Sequence, residues 1–313
     1  MKFRKLGNTE LKISEISFGT GTFGWTCDKK EAFRIMDLAF DRGINFFDSA
    51  DVYPVYEGRA GLSEKIVGEW NKSRRNKKII IATKVGEQVG CAAGRNLSRS
   101  HIHKSVDKAL RRLQVETIDL YQTHGEDKNT PLEETFRAFD EIIRAGKVRY
   151  LGVSNYSVPT LKTALKLKES GLPVVSSFQL HYNLLSRHLL GSALINACRS
   201  GNVGIIAYSV LARGMLSGKY MNSAIPDDRL DSVNKYCTRE NIKIIEKLKL
   251  MAEFKKCAMS QLAISWALSN PAIVSAIIGA SAPAELEESL KYGDVIISKS
   301  EKDRLEKLST LKA

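Results

Sequence analysis

Short apolar runs rich in β-branched and aromatic residues punctuate the chain, and between them apolar positions recur at helical spacing. The runs are Ile16–Thr20, Ile44–Phe47 ending at Asp48, Ile79–Lys84, Ile118–Thr123, Val148–Val153, Val174–Gln179, Val203–Tyr208 and Ile273–Ile278. Lys29–Arg42 reads as a helix, with Ala32, Phe33, Ile35, Met36, Leu38, Ala39 and Phe40 at helical spacing, Asp28 as its cap and Gly43 as its stop. Further helices are expected over Ser98–Leu113, from Thr130 (cap) and Pro131 to Gly146, and over Thr238–Lys256 and Ser260–Ser269. Such a strand and helix repeat predicts an α/β protein, a (β/α)8 TIM barrel, with residues 1–313 as one domain. Ahead of it, residues 1–14 pattern as a β-hairpin turning at Gly7-Asn8.

Composition narrows the picture. With 43% hydrophobic residues the chain can bury a substantial core. No apolar run is long enough for a bilayer, and Met1–Asn8 lacks the apolar middle of a secretory signal. A cytoplasmic location is expected. The five cysteines (Cys27, Cys91, Cys198, Cys237 and Cys257) are odd in number and form no CxxC pair, so reduced thiols are expected. The net charge of +13 would suit an anionic ligand or nucleic acid. Yet the basic residues are interleaved with acidic ones, and the dense cluster Lys72–Lys78 reads as a solvated loop. Neither nucleic acid nor a membrane is expected as a partner. His101 and His103, two apart on a helix, diverge and read as surface residues rather than metal ligands.

Candidate chemistry gathers where strands end. Asp48 closes one run and Tyr53 follows in the next loop; Lys84 closes the next and His124 follows Ile118–Thr123. Singly, each has a bland reading as a turn, cap or solvated residue. Together they lie at the carboxyl ends of successive strands, the face where a parallel barrel builds its active site. A phenol becomes a useful acid when a cation is near, and Lys84 is that cation. Gly19-Thr-Gly21-Thr-Phe-Gly24 matches the dinucleotide fingerprint GxGxxG. That fingerprint needs a helix opening at its glycines, whereas Trp25-Thr-Cys-Asp28 intervenes here, so the loop is assigned to the barrel lip.

The Asp48 to Tyr53 spacing, strand-end Lys84 and Asp119-Leu-Tyr-Gln-Thr-His124 closely resemble the aldo-keto reductases, with the motifs in family order from Leu6-Gly7 to Gly279-Ala280. The resemblance implies a barrel whose floor is closed by the amino-terminal hairpin. It implies a catalytic set of Asp48, Tyr53, Lys84 and His124, and a nicotinamide cofactor. In Gly152-Val-Ser-Asn-Tyr, Ser154 and Asn155 resemble the nicotinamide-amide site, with Gln179 as its third member. Tyr208 falls where the family stacks an aromatic on the nicotinamide ring. Ser209, Leu211, Arg213, Gly214 and Lys219 fall on the pyrophosphate-binding stretch, and Thr20 and Gly21 on residues that approach the cofactor. Gly279, Ser281, Glu285 and Ser289 occupy the adenosine-binding segment, where the pattern departs. Many NADP-using members carry a base where this chain has Ser281 or Ala282, a Gln at Glu285 and an Asn at Ser289. Without that base a 2′-phosphate loses its strongest partner, and a carboxylate facing the ribose would suit a 2′-hydroxyl. NADPH is the cofactor the family implies, and NADH is the alternative.

The implied reaction is reduction of a small-molecule aldehyde or ketone to an alcohol, with hydride from the nicotinamide and a proton from Tyr53. Lys84, held by Asp48, loosens that proton, and His124 orients the carbonyl. The loops at Trp25, Tyr53–Gly61, Val85–Arg95 and the irregular lid Tyr220–Tyr236 would wall the substrate pocket. A keto-sugar, nucleotide-linked or free, suits the basic charge. Nothing in the sequence fixes the number of copies in an assembly. Asn96-Leu-Ser-Arg-Ser-His also resembles the reductase-like β subunits of potassium channels, which implies a nucleotide-sensing alternative. Those subunits often lack the tetrad histidine, and this chain has His124. A metal-dependent barrel hydrolase would need several strand-end ligands, and only His124 and Asp48 are so placed.

Overall fold

The computed structural model describes residues 1–55, 58–74, 78–87, 94–221 and 224–309. Cys91 lies outside the described residues, as do parts of the segments expected at 54–61, 72–78, 85–98 and 220–236. A hairpin of β1 (Phe3–Lys5) and β2 (Lys12–Ser14) precedes a closed parallel barrel. The barrel strands are β3 (Ile16–Gly19), β4 (Phe46–Asp48), β5 (Ile80–Val85), β6 (Ile118–Thr123), β7 (Val148–Ser154), β8 (Val175–His181), β9 (Gly204–Tyr208) and β10 (Ile273–Ile278). They pair in chain order, and β10 closes the ring against both β3 and β9.

Outside lie α1 (Lys29–Asp41), α2 (Leu62–Ser73), α3 (Arg99–Leu113), α4 (Leu132–Arg144), α5 (Val158–Lys166), α6 (Ser192–Ser200), α7 (Leu230–Asn234), α8 (Arg239–Phe254), α9 (Met259–Leu268), α10 (Pro283–Leu290) and α11 (Lys299–Ser309). In α1, Asp28 caps by accepting from Glu31 N at 2.8 Å, and Ala32, Ile35, Met36 and Ala39 form the buried stripe. Among the described residues no helix is long and apolar enough to cross a membrane.

Two cores follow from strand periodicity. Alternate residues of each strand point outward into the helical layer, among them Phe47, Ile81, Tyr121, Leu151 and Phe178. The others point inward, where Phe46, Ala82, Leu120, Ile206 and Ile277 meet Leu6, Leu11 and Ile13 of the hairpin. The hairpin thus plugs the floor. The same inward phase carries on to Asp48, Lys84, Gln122 and Tyr208 at the opposite, carboxyl end.

Several expectations need correction. Thr130 does not cap α4: its hydroxyl donates to Asp127 Oδ2 at 2.7 Å, and Pro131 takes the cap position. The 220–236 segment is not wholly irregular, since Pro226 and the acidic pair Asp227-Asp228 start a short 3₁₀ turn that runs into α7. The 72–78 cluster is only partly loop, because α2 continues to Ser73 and Arg74 grips Asp37 with two hydrogen bonds of 2.9 and 2.8 Å. His101 and His103 are half-buried, and His103 Nε2 lies 2.7 Å from Glu141 Oε2.

Gly7 tests the floor contact. Its φ of +52° is left-handed, and a Cβ there would lie 2.7 Å from Asn202 O and Gly204 N and closer still to Ser176 O. Both the backbone conformation and the space therefore exclude a side chain. Gly7→Ala is expected to destabilise the protein by about 2–4 kcal/mol, read from the midpoint of urea unfolding.

Candidate active site

Four strands deliver one buried cluster to the carboxyl end of the barrel. Lys84 Nζ, from β5, lies 2.5 Å from Asp48 Oδ2 at the end of β4 and donates to Ser49 O at 2.9 Å. Gln122 of β6 and Gln179 of β8 donate to Asp48 Oδ1 at 3.1 and 2.9 Å. Thr20, just past β3, donates through its backbone N and its hydroxyl to Asp48 O at 3.0 and 3.1 Å. Burial by itself would drive the Lys84 ammonium toward neutrality, but the Asp48 carboxylate and the Tyr53 phenol outweigh it and hold its pKa above the ordinary lysine value.

Tyr53 stands over this pair, with its ring centroid 5.1 Å from Lys84 Nζ. The His124 ring meets it edge to face at 5.7 Å. Gly21 flanks the phenol, and a Cβ there would sit 3.7 Å from the ring. Burial, then the cations of Lys84 and Arg95, push the His124 imidazole well below its usual pKa, so it is neutral at pH 7. Its Nδ1 is buried and has no hydrogen-bond partner among the described residues. A buried lone pair without a partner is tolerated better than a buried N–H without one, which assigns the proton to Nε2.

Beside the tetrad lies a shelf of side-chain amides and hydroxyls. Asn155, left-handed at φ 57°, donates to His124 O at 3.1 Å and to Ser154 Oγ at 3.0 Å, and accepts from Tyr208 OH at 3.0 Å. The Gln179 side-chain nitrogen is committed to Asp48, so this residue supports the tetrad as well as bordering the shelf. After β9 the backbone runs left-handed at Ser209, Ala212, Arg213 and Gly214. Such turns aim successive N–H groups to one side and form a concave anion seat. A Cβ on Gly214 would lie 2.6 Å from Lys219 Cε, so the glycine makes room for the lysine stem. Lys219 Nζ in turn lies 3.5 Å from Glu285 Oε1. Leu211 O accepts from Gly214 N and Leu216 N within this turn. Gly279 packs against Gly19, and Ser289, one turn beyond Glu285 on α10, is buried.

Sequence reasoning missed two members. Gln122 lay inside a quoted motif, and only the strand alternation marks it as facing inward with Lys84. Arg229 lay in the segment taken as an irregular lid. Its Nη2 reaches Thr26 Oγ1 at 3.0 Å and Ser281 Oγ at 3.2 Å, with the guanidinium 5.4 Å above the Trp25 ring. No local signal in the sequence pairs residues so far apart along the chain.

His181, at the end of β8, gives this region a pH signature. Burial, then the Lys235 and Arg213 cations, lower its pKa to about 4, below the ordinary imidazole value. The folded state therefore holds the neutral form while the unfolded chain takes up a proton as pH falls. Stability from this group is complete above the unfolded pKa and is lost as pH falls toward 4. The loss of unfolding free energy between pH 7 and pH 4.5 is expected to be smaller in His181→Gln by on the order of 2 kcal/mol, measured by urea titration at both pH values.

The Aldo/keto reductase family matches residues 15–310. An uncharacterized oxidoreductase, YrpG, of Bacillus subtilis (strain 168) is 34% identical over 96% of this chain and 93% of its own. A probable voltage-gated potassium channel subunit beta of Arabidopsis thaliana is 34% identical, over 95% and 92%. The L-glyceraldehyde 3-phosphate reductase of Escherichia coli (strain K12) is 32% identical, over 93% and 87%. With the family match spanning nearly the whole barrel and the tetrad residues gathered at its carboxyl end, the chain belongs to the aldo/keto reductase family, a family of oxidoreductases.

Proposed function

We propose that the protein reduces an aldehyde or ketone to the alcohol with NADPH as cofactor. One observation carries this reading: Asp48 and Tyr53 after β4, Lys84 of β5 and His124 after β6 converge from three neighbouring strand ends around a single buried ion pair. The nicotinamide, when bound, supplies the hydride. The remaining work falls to the chain. Tyr53 gives its hydroxyl proton to the carbonyl oxygen as negative charge grows there. The Lys84 ammonium stabilises the phenolate left behind, and Asp48 keeps Lys84 charged and aimed. His124, neutral with its proton on Nε2, is a second donor to the same oxygen. Ser154 and Asn155 offer polar groups to a carboxamide, and Tyr208 offers a ring face.

The dinucleotide groove fits the rest of the cofactor. Left-handed backbone from Ser209 to Gly214, with Arg213 and Lys219, suits bridging phosphates. Two features favour a 2′-phosphate over a 2′-hydroxyl. Arg229 brings a guanidinium to Ser281, supplying the cation that positions 281 and 282 lack. Glu285 accepts from Ser281 N at 2.8 Å, so one of its oxygens is engaged at the start of its own helix rather than held out for a ribose hydroxyl.

A regulatory nucleotide-binding subunit is the second reading, favoured by the likeness to the Arabidopsis thaliana protein. Turnover separates the two. Tyr53→Phe is expected to lower kcat for NADPH-dependent reduction of an aldehyde by about 10²–10³-fold, with NADPH affinity retained in a fluorescence titration; near-full turnover would remove Tyr53 as the acid. Arg229→Ala is expected to weaken NADPH binding by about 10–100-fold and to leave NADH affinity within error. Equal loss for both cofactors would show that Arg229 holds the lid and not the phosphate.

A further inference from the structure

The residue after His124 is a glycine packed against a side chain from a different loop. A Cβ on Gly125 would lie 2.5 Å from Arg95 Nε and 2.8 Å from Arg95 Nη1. Gly125 is buried and does not have a positive φ, so its lack of a side chain is a matter of room. It forms the seat on which the Arg95 guanidinium rests.

The rest of the Arg95 environment leaves one edge open. Glu87 Oε2 accepts from Nε at 2.9 Å, and neither Nη atom has a hydrogen-bond partner among the described residues. The side chain is 34% exposed, close enough to solvent for a ligand to reach. The neighbouring carboxylates are committed elsewhere. Glu126 accepts from Ser157 N, and Asp127 accepts from Leu97 N, Asn129 N and the Thr130 hydroxyl. The cation of the tetrad, Lys84, is matched by Asp48. Arg95 is near enough to His124 for its charge to oppose protonation of that imidazole. A planar fork of donors thus stands beside the residue that is to orient the carbonyl, and such a fork matches the oxygens of a phosphate or carboxylate.

We propose that Arg95, seated on Gly125 next to His124, binds an anionic group carried by the carbonyl substrate, so that the preferred substrates are phosphorylated or carboxylated aldehydes or ketones. This rests on the carbonyl-reductase reading and gives that site its substrate class. Glu87 engages only Nε and offsets part of the attraction, which sets the strength of the site. Gly125 holds the guanidinium in place, since any larger residue would displace it.

The test is steady-state NADPH oxidation with matched pairs: glyceraldehyde against glyceraldehyde 3-phosphate for the phosphate arm, and butanal against succinic semialdehyde for the carboxylate arm. In the unaltered protein the anionic member of at least one pair is expected to have the higher kcat/KM by about tenfold or more, chiefly through KM. Arg95→Gln is expected to reduce the anionic-to-neutral ratio by about tenfold, with Arg95→Lys retaining part of it and Gly125→Ala moving it in the same direction as Arg95→Gln. Glu87→Gln is expected to raise it. A ratio near one in the unaltered protein, or loss of both members in parallel in Arg95→Gln and Gly125→Ala, would overturn the anion site and leave carbonyl reduction standing. NADPH binding with no turnover of any probe would overturn the reductase reading, and the substrate class with it.

Discussion

The buried pair of Lys84 and Asp48 constrains everything around it. Their side chains are 1% and 4% exposed, and an ion withdrawn from water to that degree costs several kcal/mol unless it is paired and hydrogen-bonded. The surroundings meet that requirement from several strands. Gln122 and Gln179 fill the second carboxylate oxygen, and Ser49 O takes another ammonium proton. Lys84, Gln122 and Gln179 are all far from Asp48 in sequence, so the pair is stable only if the barrel closes in its observed register. Asp48 stands opposite Ala82, Lys84 opposite Gln122, and Ser154 opposite Gln179. A slip of one residue in β5 would turn Lys84 into the apolar layer under the helices and leave Asp48 buried without its partner. Register and catalytic electrostatics are in this sense one constraint.

The groove proposed for the dinucleotide is made of different material. Its cations are exposed or half-exposed, and its contacts join segments remote in sequence, with Arg229 bridging Thr26 and Ser281 over Trp25. Exposed charge pairs are worth little individually and exchange readily. That suits the proposed cofactor groove, which would trade its internal contacts for those of a phosphate and later give the phosphate up. The tetrad has the opposite need, since donors that stabilise a developing alkoxide help most when they need not reorganise. Rigid strand ends carry the tetrad, and loops carry the groove.

Strand and helix alternation made the barrel legible, and Asp48, Lys84 and His124 stood at its strand ends in the sequence because a strand end is visible as the point where an apolar run stops. The hairpin was equally plain from Gly7-Asn8. What stayed hidden depended on partners far along the chain. The segment 220–236 carries no hydrophobic period, so the turn at Asp227 and the helix α7 could not be read, and neither could the reach of Arg229 to Ser281. Thr130 looked like a cap because only the fold shows Asp127 claiming its hydroxyl. Helices α5, α6, α10 and α11 were not singled out. In α5 the buried stripe is only Leu161 and Ala164, too short a repeat to stand out from its flanks.

His124 shows how little freedom the site leaves its parts. A protonated imidazole would be a strong donor, yet burial, and then the cations of Lys84 and Arg95, keep it neutral. A third charge there would have no counter-ion, because Asp48 is already spent on Lys84 and Glu87 on Arg95. Neutrality has a chemical advantage. In the proposed reaction a neutral donor would polarise the carbonyl without holding the product alkoxide as a salt, and it would leave Tyr53 as the one group that surrenders a proton. The proposed division between a phenol that transfers its proton and an imidazole that keeps its own therefore matches where the site can accommodate charge.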